Sequence, residues 1–287
     1  MEDLFEKVYL ISGLFMTLLA LIELFGGYDS LAHVYIYMCI GLFVFFDSLN
    51  YFTEYADSLI SGQVTALNAA LFIIMTGVVV GFFVEVYGAF LTDTWPGVIS
   101  TLELTDADFT FQIYSAVLFY GILALPSYSL FKILDNVYSA ESMLKDDFES
   151  DFFRYFIHAG LLMLVIPFGS LVIDLSPASS FLMFLVSMTG LFMIIEYYNF
   201  RKKGGGLILR IWSGDYKNSS IIIGISILIG TVVSIYLYGL DIWSTSVPFE
   251  GVTVLGVPIV LSLMWSVLSL VGLSALNLIT ETEFKLE

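Results

Sequence analysis

Within two of this chain's apolar blocks a carboxylate stands three residues ahead of a carboxamide: Asp47 with Asn50, and Glu196 with Asn199. At that spacing the two side chains share one face of a helix. Their carboxylate and amide oxygens suit a hard cation or a hydroxyl-bearing ligand. Both acids lie in strongly apolar surroundings, as do Glu23, Glu85 and His158. An ionisable group in hydrocarbon is expensive unless paired or wetted, so each is a functional candidate by default. The plainer reading of Asp47 and Glu196 is that each reaches the headgroups and pairs with Arg201, Lys202 or a lipid amine. An acid near a helix C-terminus opposes the helix dipole and asks for some partner. Glu85 stands beside Tyr87 and Gly88, ahead of the loop 92–97. There it fits a proton donor or ligand contact at an outward cavity, or a structural hydrogen bond to Tyr87 or a neighbouring hydroxyl. None of these acids falls at an expected bilayer midplane, where secondary transporters usually place their site.

The elements that must position these groups are membrane-spanning helices. The 287 residues are 59% hydrophobic and only 13% charged, with a mean hydropathy of +0.93. Soluble domains run at about 45–50% apolar and roughly 25% charged. The apolar residues gather into blocks of about 20, the length a helix needs to cross roughly 30 Å of hydrocarbon. Eight spans are expected, near 8–26, 31–52, 66–91, 109–131, 154–174, 178–200, 219–240 and 254–279. Runs such as Ala69 to Val84 and Ile221 to Leu240 show no period-two alternation, which argues against a β-barrel. Helix and closed barrel are the two ways to satisfy every backbone group in lipid, so the expected fold class is an all-α integral membrane protein.

Charge placement orients the spans. Under eight spans, all ten Lys and Arg share one side: Lys7, then Lys132, Lys145 and Arg154, then Arg201, Lys202, Lys203, Arg210 and Lys217, and finally Lys285. Random placement would give such a partition roughly once in a thousand, and the positive-inside rule assigns that side to the cytoplasm. A multi-pass protein of the cell membrane with both termini cytoplasmic is the expectation. The net charge of −17 comes from acids on both water-facing sides, Asp29, Asp93, Glu103, Asp106, Asp108, Asp241 and Glu250 among those outside. Such a surface suits concentrated salt and raises the possibility of a halophilic source. Nucleic acid is disfavoured as a partner, because no basic face could neutralise phosphates. The one cysteine, Cys39, lies inside a span, so no intrachain disulfide forms. The first span follows a single Lys, lacks a small-residue cleavage pattern and reads as a retained helix rather than a signal peptide.

Comparison of the chain with itself indicates a tandem duplication. Ser12-Gly13-Leu14-Phe15-Met16 pairs with Ala159-Gly160-Leu161-Leu162-Met163, and Gly41-Leu42-Phe43 with Gly190-Leu191-Phe192. Val86-Tyr87-Gly88 pairs with Leu237-Tyr238-Gly239, and Ala116-Val117-Leu118 with Ser266-Val267-Leu268. The offsets drift only from 147 to 151. The expected organisation is a four-helix repeat over 1–134, an acidic cytoplasmic linker over 135–153 and a second four-helix repeat over 154–287. An even number of spans per unit makes the repeats parallel, related by a pseudo-two-fold axis along the membrane normal. The repeat preserves the Asp47/Asn50 pattern as Glu196/Asn199, whereas Glu85 faces Tyr236 and is an acid in one half only.

Other chemistries are set aside. His33 and His158 lie at opposite faces and cannot share a metal or haem. No lysine occupies a span core, which removes a retinal Schiff base. Gly204-Gly205-Gly206 lacks the strand-to-helix context of a phosphate loop and reads as a cytoplasmic turn. No cofactor or metal is expected. Tyr28, Tyr35, Tyr87, Trp95, Tyr197, Tyr198, Trp243 and Trp265 lie near span ends and fit interfacial belts. Pro126, Pro167 and Pro258 stand within or at the start of spans, where they kink helices or pack at bends. The run Leu255-Gly256-Val257-Pro258-Ile259, with Trp265 beyond it, resembles over about a dozen residues the Gly-Val-Pro and Trp pattern of membrane carotenoid hydratases, but the acid-Gly-Thr-Gly element that should precede it there is missing.

Three functions fit these features. The first is a transporter or channel for a small solute or cation, its path between the repeats, using Asp47, Asn50, Glu196 and Asn199. The second is a membrane-embedded enzyme acting on an isoprenoid or other lipid, with Glu85 as general acid. The third is a non-catalytic subunit of a larger membrane assembly. The lipid bilayer is the one certain partner in all three.

Overall fold

A computed structural model gives the fold and describes residues 2–27, 31–52, 73–74, 77–94, 108–137, 150–203, 206–212, 214–239 and 251–283. The start of the third expected span, most of the acidic linker, Gly204, Gly205, Tyr28, Trp95 and Trp243 lie outside those residues. The protein is mostly helical. Its helices are α1 (Glu2–Gly26), α2 (Leu31–Phe52), α3 (Gly77–Leu91), α4 (Phe109–Val137), α5 (Ser150–Val165), α6 (Pro177–Lys203), α7 (Leu207–Trp212), α8 (Tyr216–Gly239) and α9 (Ile259–Glu283). The last nine residues of α3, Phe83–Leu91, are π-helical, and α5 tightens into a 3₁₀ turn over Ile166–Leu171. Among the described residues, three segments are long and apolar enough to cross a membrane: Lys7–Gly26, Arg154–Leu171 and Pro177–Arg201. Shorter apolar helical stretches occur at Val34–Asn50, Gly77–Leu91, Phe109–Ile122, Ser219–Ile235 and Ile259–Ala275.

Side-chain placement inverts the pattern of a water-soluble bundle. On α1, Val8, Ile11, Phe15, Leu18, Ile22 and Phe25 repeat at three- and four-residue steps and are all exposed, while Gly13 and Ala20 are buried. On α8, Ile223, Ile227, Leu228 and Val232 face outward, while Ser219, Ser226 and Ser234 are buried. A helix in water turns its apolar stripe to the core; here the large apolar groups face the surroundings and the small polar ones face the protein. Such an outer surface suits hydrocarbon better than water. Buried hydroxyls behave accordingly, since Ser187 donates to Phe184 O, Ser226 to Ile222 O and Ser266 to Ser262 O on their own helices.

The chain divides into two compact units, Met1–Phe83 with Gly97–Ser139, and Val84–Pro96 with Ala140–Glu287. The division falls inside α3, where its π-helical segment begins. In the first unit α2 packs between α1 and α4. The α1–α2 crossing is made at Gly13 and Gly41, where a Cβ on Gly13 would lie 2.5 Å from Phe45 N and one on Gly41 2.7 Å from Thr17 N. A Cβ on Gly77 would overlap the Val117 carbonyl of α4. Tyr35 stacks on Phe119 with ring centroids 3.9 Å apart and donates its hydroxyl to Phe119 O at 2.6 Å.

In the second unit α6 packs against α5 and α9, and α8 against α9. The α5–α6 crossing is made at Gly160 and Gly190, where a Cβ on either would lie 2.7 Å from the carbonyl of the other. Ser234 and Ser262 hydroxyls meet at 2.8 Å between α8 and α9, and Gly230 abuts the backbone of Ser266. Phe184, Met188 and Met264 fill the interior. Helix pairing in lipid relies on such small-residue contacts and interhelical hydrogen bonds, because lipid tails bury leucine as well as protein does.

Helix ends follow ordinary capping chemistry. Gly27 adopts φ +89° immediately after α1, the left-handed conformation that closes a helix C-terminus. The Asp108 carboxylate accepts Thr110 N ahead of α4, and Ser176 Oγ accepts Ser179 N ahead of α6, whose first residue is Pro177. Leu255 and Gly256 take φ +52° and +84°, forming the tip of a two-residue hairpin that pairs Thr253–Val254 with Val257–Pro258.

Two expectations are corrected here. The eighth apolar segment begins its helix at Ile259, not near 254, because the Gly-containing tip and Pro258 hold a hairpin in front of it. Pro258 therefore kinks no helix. Of the aromatic residues near span ends, Trp265 and Tyr87 are buried and Tyr35 donates to Phe119 O.

The glycine crossings generate a direct test. Gly190→Leu should destabilise the fold by about 1–3 kcal/mol through overpacking. Gly224→Ala, at a site on α8 with nothing within 4 Å, should be neutral or stabilise by up to about 1 kcal/mol. Thermal unfolding of the two purified variants in one detergent measures both.

Candidate functional site

The acid–amide pair of α6 lies in a closed polar cluster. Glu196 and Asn199, one turn apart, are each at most 1% exposed. Glu196 Oε2 accepts the Ile208 backbone N–H at 2.8 Å, at the start of α7. Glu196 Oε1 accepts the Ser274 hydroxyl of α9 and the Asn199 amide at 3.4 Å. Asn199 Nδ2 donates further to Ser274 O at 2.9 Å and Ser274 Oγ at 3.2 Å. Gly206 makes the approach of α7 possible, since it takes φ +151° and a Cβ there would stand 2.7 Å from Glu196 Oε2. Both carboxylate oxygens are thus committed, one to a backbone amide and one to a serine. The partner is not Arg201, whose Nη1 donates to Tyr197 Oη at 3.4 Å. Glu196 is a clasp joining α6, α7 and α9. Several N–H and O–H donors around one buried carboxylate supply what burial takes from it in solvation.

The pair on α2 occupies the same kind of position in the first unit. Asp47 and Asn50 are each 1% exposed, and Asn50 Nδ2 donates to Ser129 O of α4 at 2.9 Å. This bond matches the one from Asn199 to Ser274 O. Around it the two units differ. Ser274 spends its hydroxyl on Glu196, whereas the buried hydroxyls of Ser129 and Ser48 have no hydrogen-bond partner among the described residues.

Glu85 belongs to neither cluster. It is partly exposed and lies in the π-helical segment of α3, which ends in a tightly bonded turn. There Thr92 Oγ1 donates to Tyr87 O at 2.7 Å, Thr94 N donates to Gly88 O at 3.0 Å, and the Thr92 and Thr94 hydroxyls meet each other. Asp93 between them sits at φ +48°. Tyr87 packs edge-on against Phe168 with centroids 5.8 Å apart. Extra-wide turns of this kind recur at functional sites. Among the described residues no group of three or more His, Cys, Asp and Glu is placed to hold a metal.

Sequence reasoning missed Ser129, Ser274, Gly206 and Ile208. A signal for the serines existed. They stand 145 residues apart, from 129 to 274, whereas the Ala116-Val117-Leu118 and Ser266-Val267-Leu268 match gave 150. That match followed common apolar residues. The hydrogen bonds pair the fourth helices differently by more than one turn. No protein-family model, curated protein or solved structure matches this chain.

The clasp predicts a graded response. Glu196→Ala leaves Ile208 N and the Ser274 hydroxyl without their acceptor and should destabilise the protein by about 1–3 kcal/mol. Glu196→Gln keeps one acceptor oxygen and should lose less. Hydrogen exchange over Leu207–Trp212 should accelerate in Glu196→Ala before any change in α1 or α2.

Proposed function

We propose that this chain is a multi-pass membrane transporter or channel for a small solute or cation, built from two parallel four-helix repeats with both termini cytoplasmic. The repeat is supported by paired contacts: Gly13 on Gly41 and Gly160 on Gly190, then Asn50 to Ser129 O and Asn199 to Ser274 O. The orientation is supported by the one-sided distribution of all ten basic residues.

The observation that carries the transport reading is the unequal fate of the duplicated polar cluster. In the second repeat the carboxylate is sealed by bonds to α7 and α9. In the first, the acid is one methylene shorter, and the buried hydroxyls of Ser48 and Ser129 have no hydrogen-bond partner among the described residues. Buried polar groups without partners are costly, and they persist where a ligand or a moving proton uses them. The first repeat is therefore the working copy, and the second holds the scaffold. Proteoliposomes carrying the intact protein should show sodium or rubidium tracer flux above that of empty vesicles. Asp47→Asn combined with Glu196→Gln should reduce it at least tenfold. Flux unchanged in that double variant would remove the cluster from the pathway.

One observation favours a second reading. Glu85 in a π-helical turn beside Tyr87 and Phe168 suits a membrane-embedded enzyme that protonates an isoprenoid or another lipid. If so, lipid extracts of cells expressing wild-type protein and Glu85→Gln will differ in at least one species. Identical extracts would exclude that role for Glu85.

A further inference from the structure

We propose that the segment joining α6 to α8 is a binding surface for anionic phospholipid headgroups, which hold α7 at the membrane. This rests on the reading of the chain as a multi-pass membrane protein, but not on transport. Arg201, Lys202, Lys203, Arg210 and Lys217 are half of the chain's ten Lys and Arg, and they stand within residues 201–217 beside a single acid, Asp215. The whole chain carries a net charge of −17, so the sign of its charge reverses locally here.

Backbone contacts gather the segment at the end of a membrane-length helix. Pro177–Arg201 is apolar and long enough to cross a bilayer, and Arg201 at its end is exposed. Glu196 Oε2 accepts Ile208 N at 2.8 Å, which ties α7 to α6 about one and a half turns before Arg201. Asp215 N donates to Arg210 O at 2.9 Å, and Ser219 N to Asp215 O at 3.3 Å. The end of α7 therefore folds directly into α8, with exposed Lys217 in the first turn of that helix. Leu207 and Leu209 are buried, whereas Trp212 and Tyr216 are 62% and 65% exposed. Basic groups and outward aromatic rings thus share the place where a span leaves hydrocarbon, which is where headgroup-level anchors stand.

The residue types identify the ligand class. Attraction to a charged surface needs no single point of convergence, because it acts over a Debye length of about 8 Å. Each Lys or Arg near an anionic leaflet strengthens binding by about fivefold. The aromatic rings select a bilayer among the possible anions, since an exposed Trp or Tyr gains by burying its ring among headgroups. A free phosphate or an acidic polypeptide would use the charges and leave the rings in water.

The test follows hydrogen exchange of the full-length protein in nanodiscs of phosphatidylcholine alone or of an equal mixture with phosphatidylglycerol. Exchange over α7 should slow about threefold or more in the mixture, and concentrated salt should cancel the difference. Lys202→Gln, Lys203→Gln and Lys217→Gln combined should remove it, while the same three positions changed to Arg should keep it. Equal exchange in the two lipids, or a difference that survives the three Gln substitutions, overturns the surface. So does equal slowing by inorganic phosphate or polyglutamate added to phosphatidylcholine nanodiscs, which would assign the charges to a free anion or an acidic polypeptide. If α6 is protected in both lipids while α7 does not respond, the lipid surface alone fails. If α6 exchanges freely in both, the membrane reading fails and this surface with it.

Discussion

Every packing decision in this protein follows from its outer surface being apolar. A helix surrounded by hydrocarbon gains little by moving leucine or phenylalanine from lipid to protein, so the force that builds a soluble core is largely absent. What remains is close backbone approach and the pairing of polar groups. The protein uses the first at α1–α2 and α5–α6 and the second at α2–α4 and α6–α9. Gly13 on Gly41 and Gly160 on Gly190 bring helices within reach of main-chain dispersion. Asn50 on Ser129 and Asn199 on Ser274 then fix which turn meets which. A glycine contact alone tolerates sliding by a turn, while a side chain aimed at one carbonyl does not.

This division of labour explains what the sequence discloses and what it conceals. Hydropathy follows the solvent, so α2 lies at Leu31–Phe52, where the apolar block 31–52 places it, and α6 at Pro177–Lys203 differs from 178–200 only at its ends. The glycine crossings also announce themselves, because Gly13, Gly41, Gly160 and Gly190 fall within segments that match between the halves. The partners of Glu196 do not. A backbone amide such as Ile208 N carries no side-chain identity, and a serine in a helix rich in serine gives no sign that it is the one in contact. The hairpin before α9 was hidden for a related reason: Val254, Val257 and Ile259 are as apolar as the helix they precede, and only Gly256 and Pro258 mark the break.

Under the proposed duplication, such a scaffold has a choice that a single copy lacks. A buried acid that also closes the structure cannot easily be loosened to bind and release a ligand, because removing its partners costs stability. Glu196 has three carbon–carbon bonds between its Cα and its carboxylate and meets α7 and α9 together. Asp47 is one methylene shorter, and the buried Ser129 hydroxyl of α4 has no hydrogen-bond partner among the described residues.

The same logic bears on Glu85. It lacks an acidic counterpart in the second half, and it sits where α3 departs from regular α-geometry, whereas α8 remains α-helical from Tyr216 to Gly239. A π-helical turn gives up some packing and hydrogen-bond quality relative to an α-helical one, so its retention needs a return elsewhere. The bonds from Thr92 and Thr94 to the carbonyls of Tyr87 and Gly88 supply part of that return by satisfying backbone acceptors that the wide turn leaves open. They stabilise the turn without explaining why an acid occupies it. Asymmetry between the halves therefore occurs at two places, the shortened acid of α2 and the widened turn of α3. Both are sites where a repeat that served only to hold helices together would have no reason to differ from its copy.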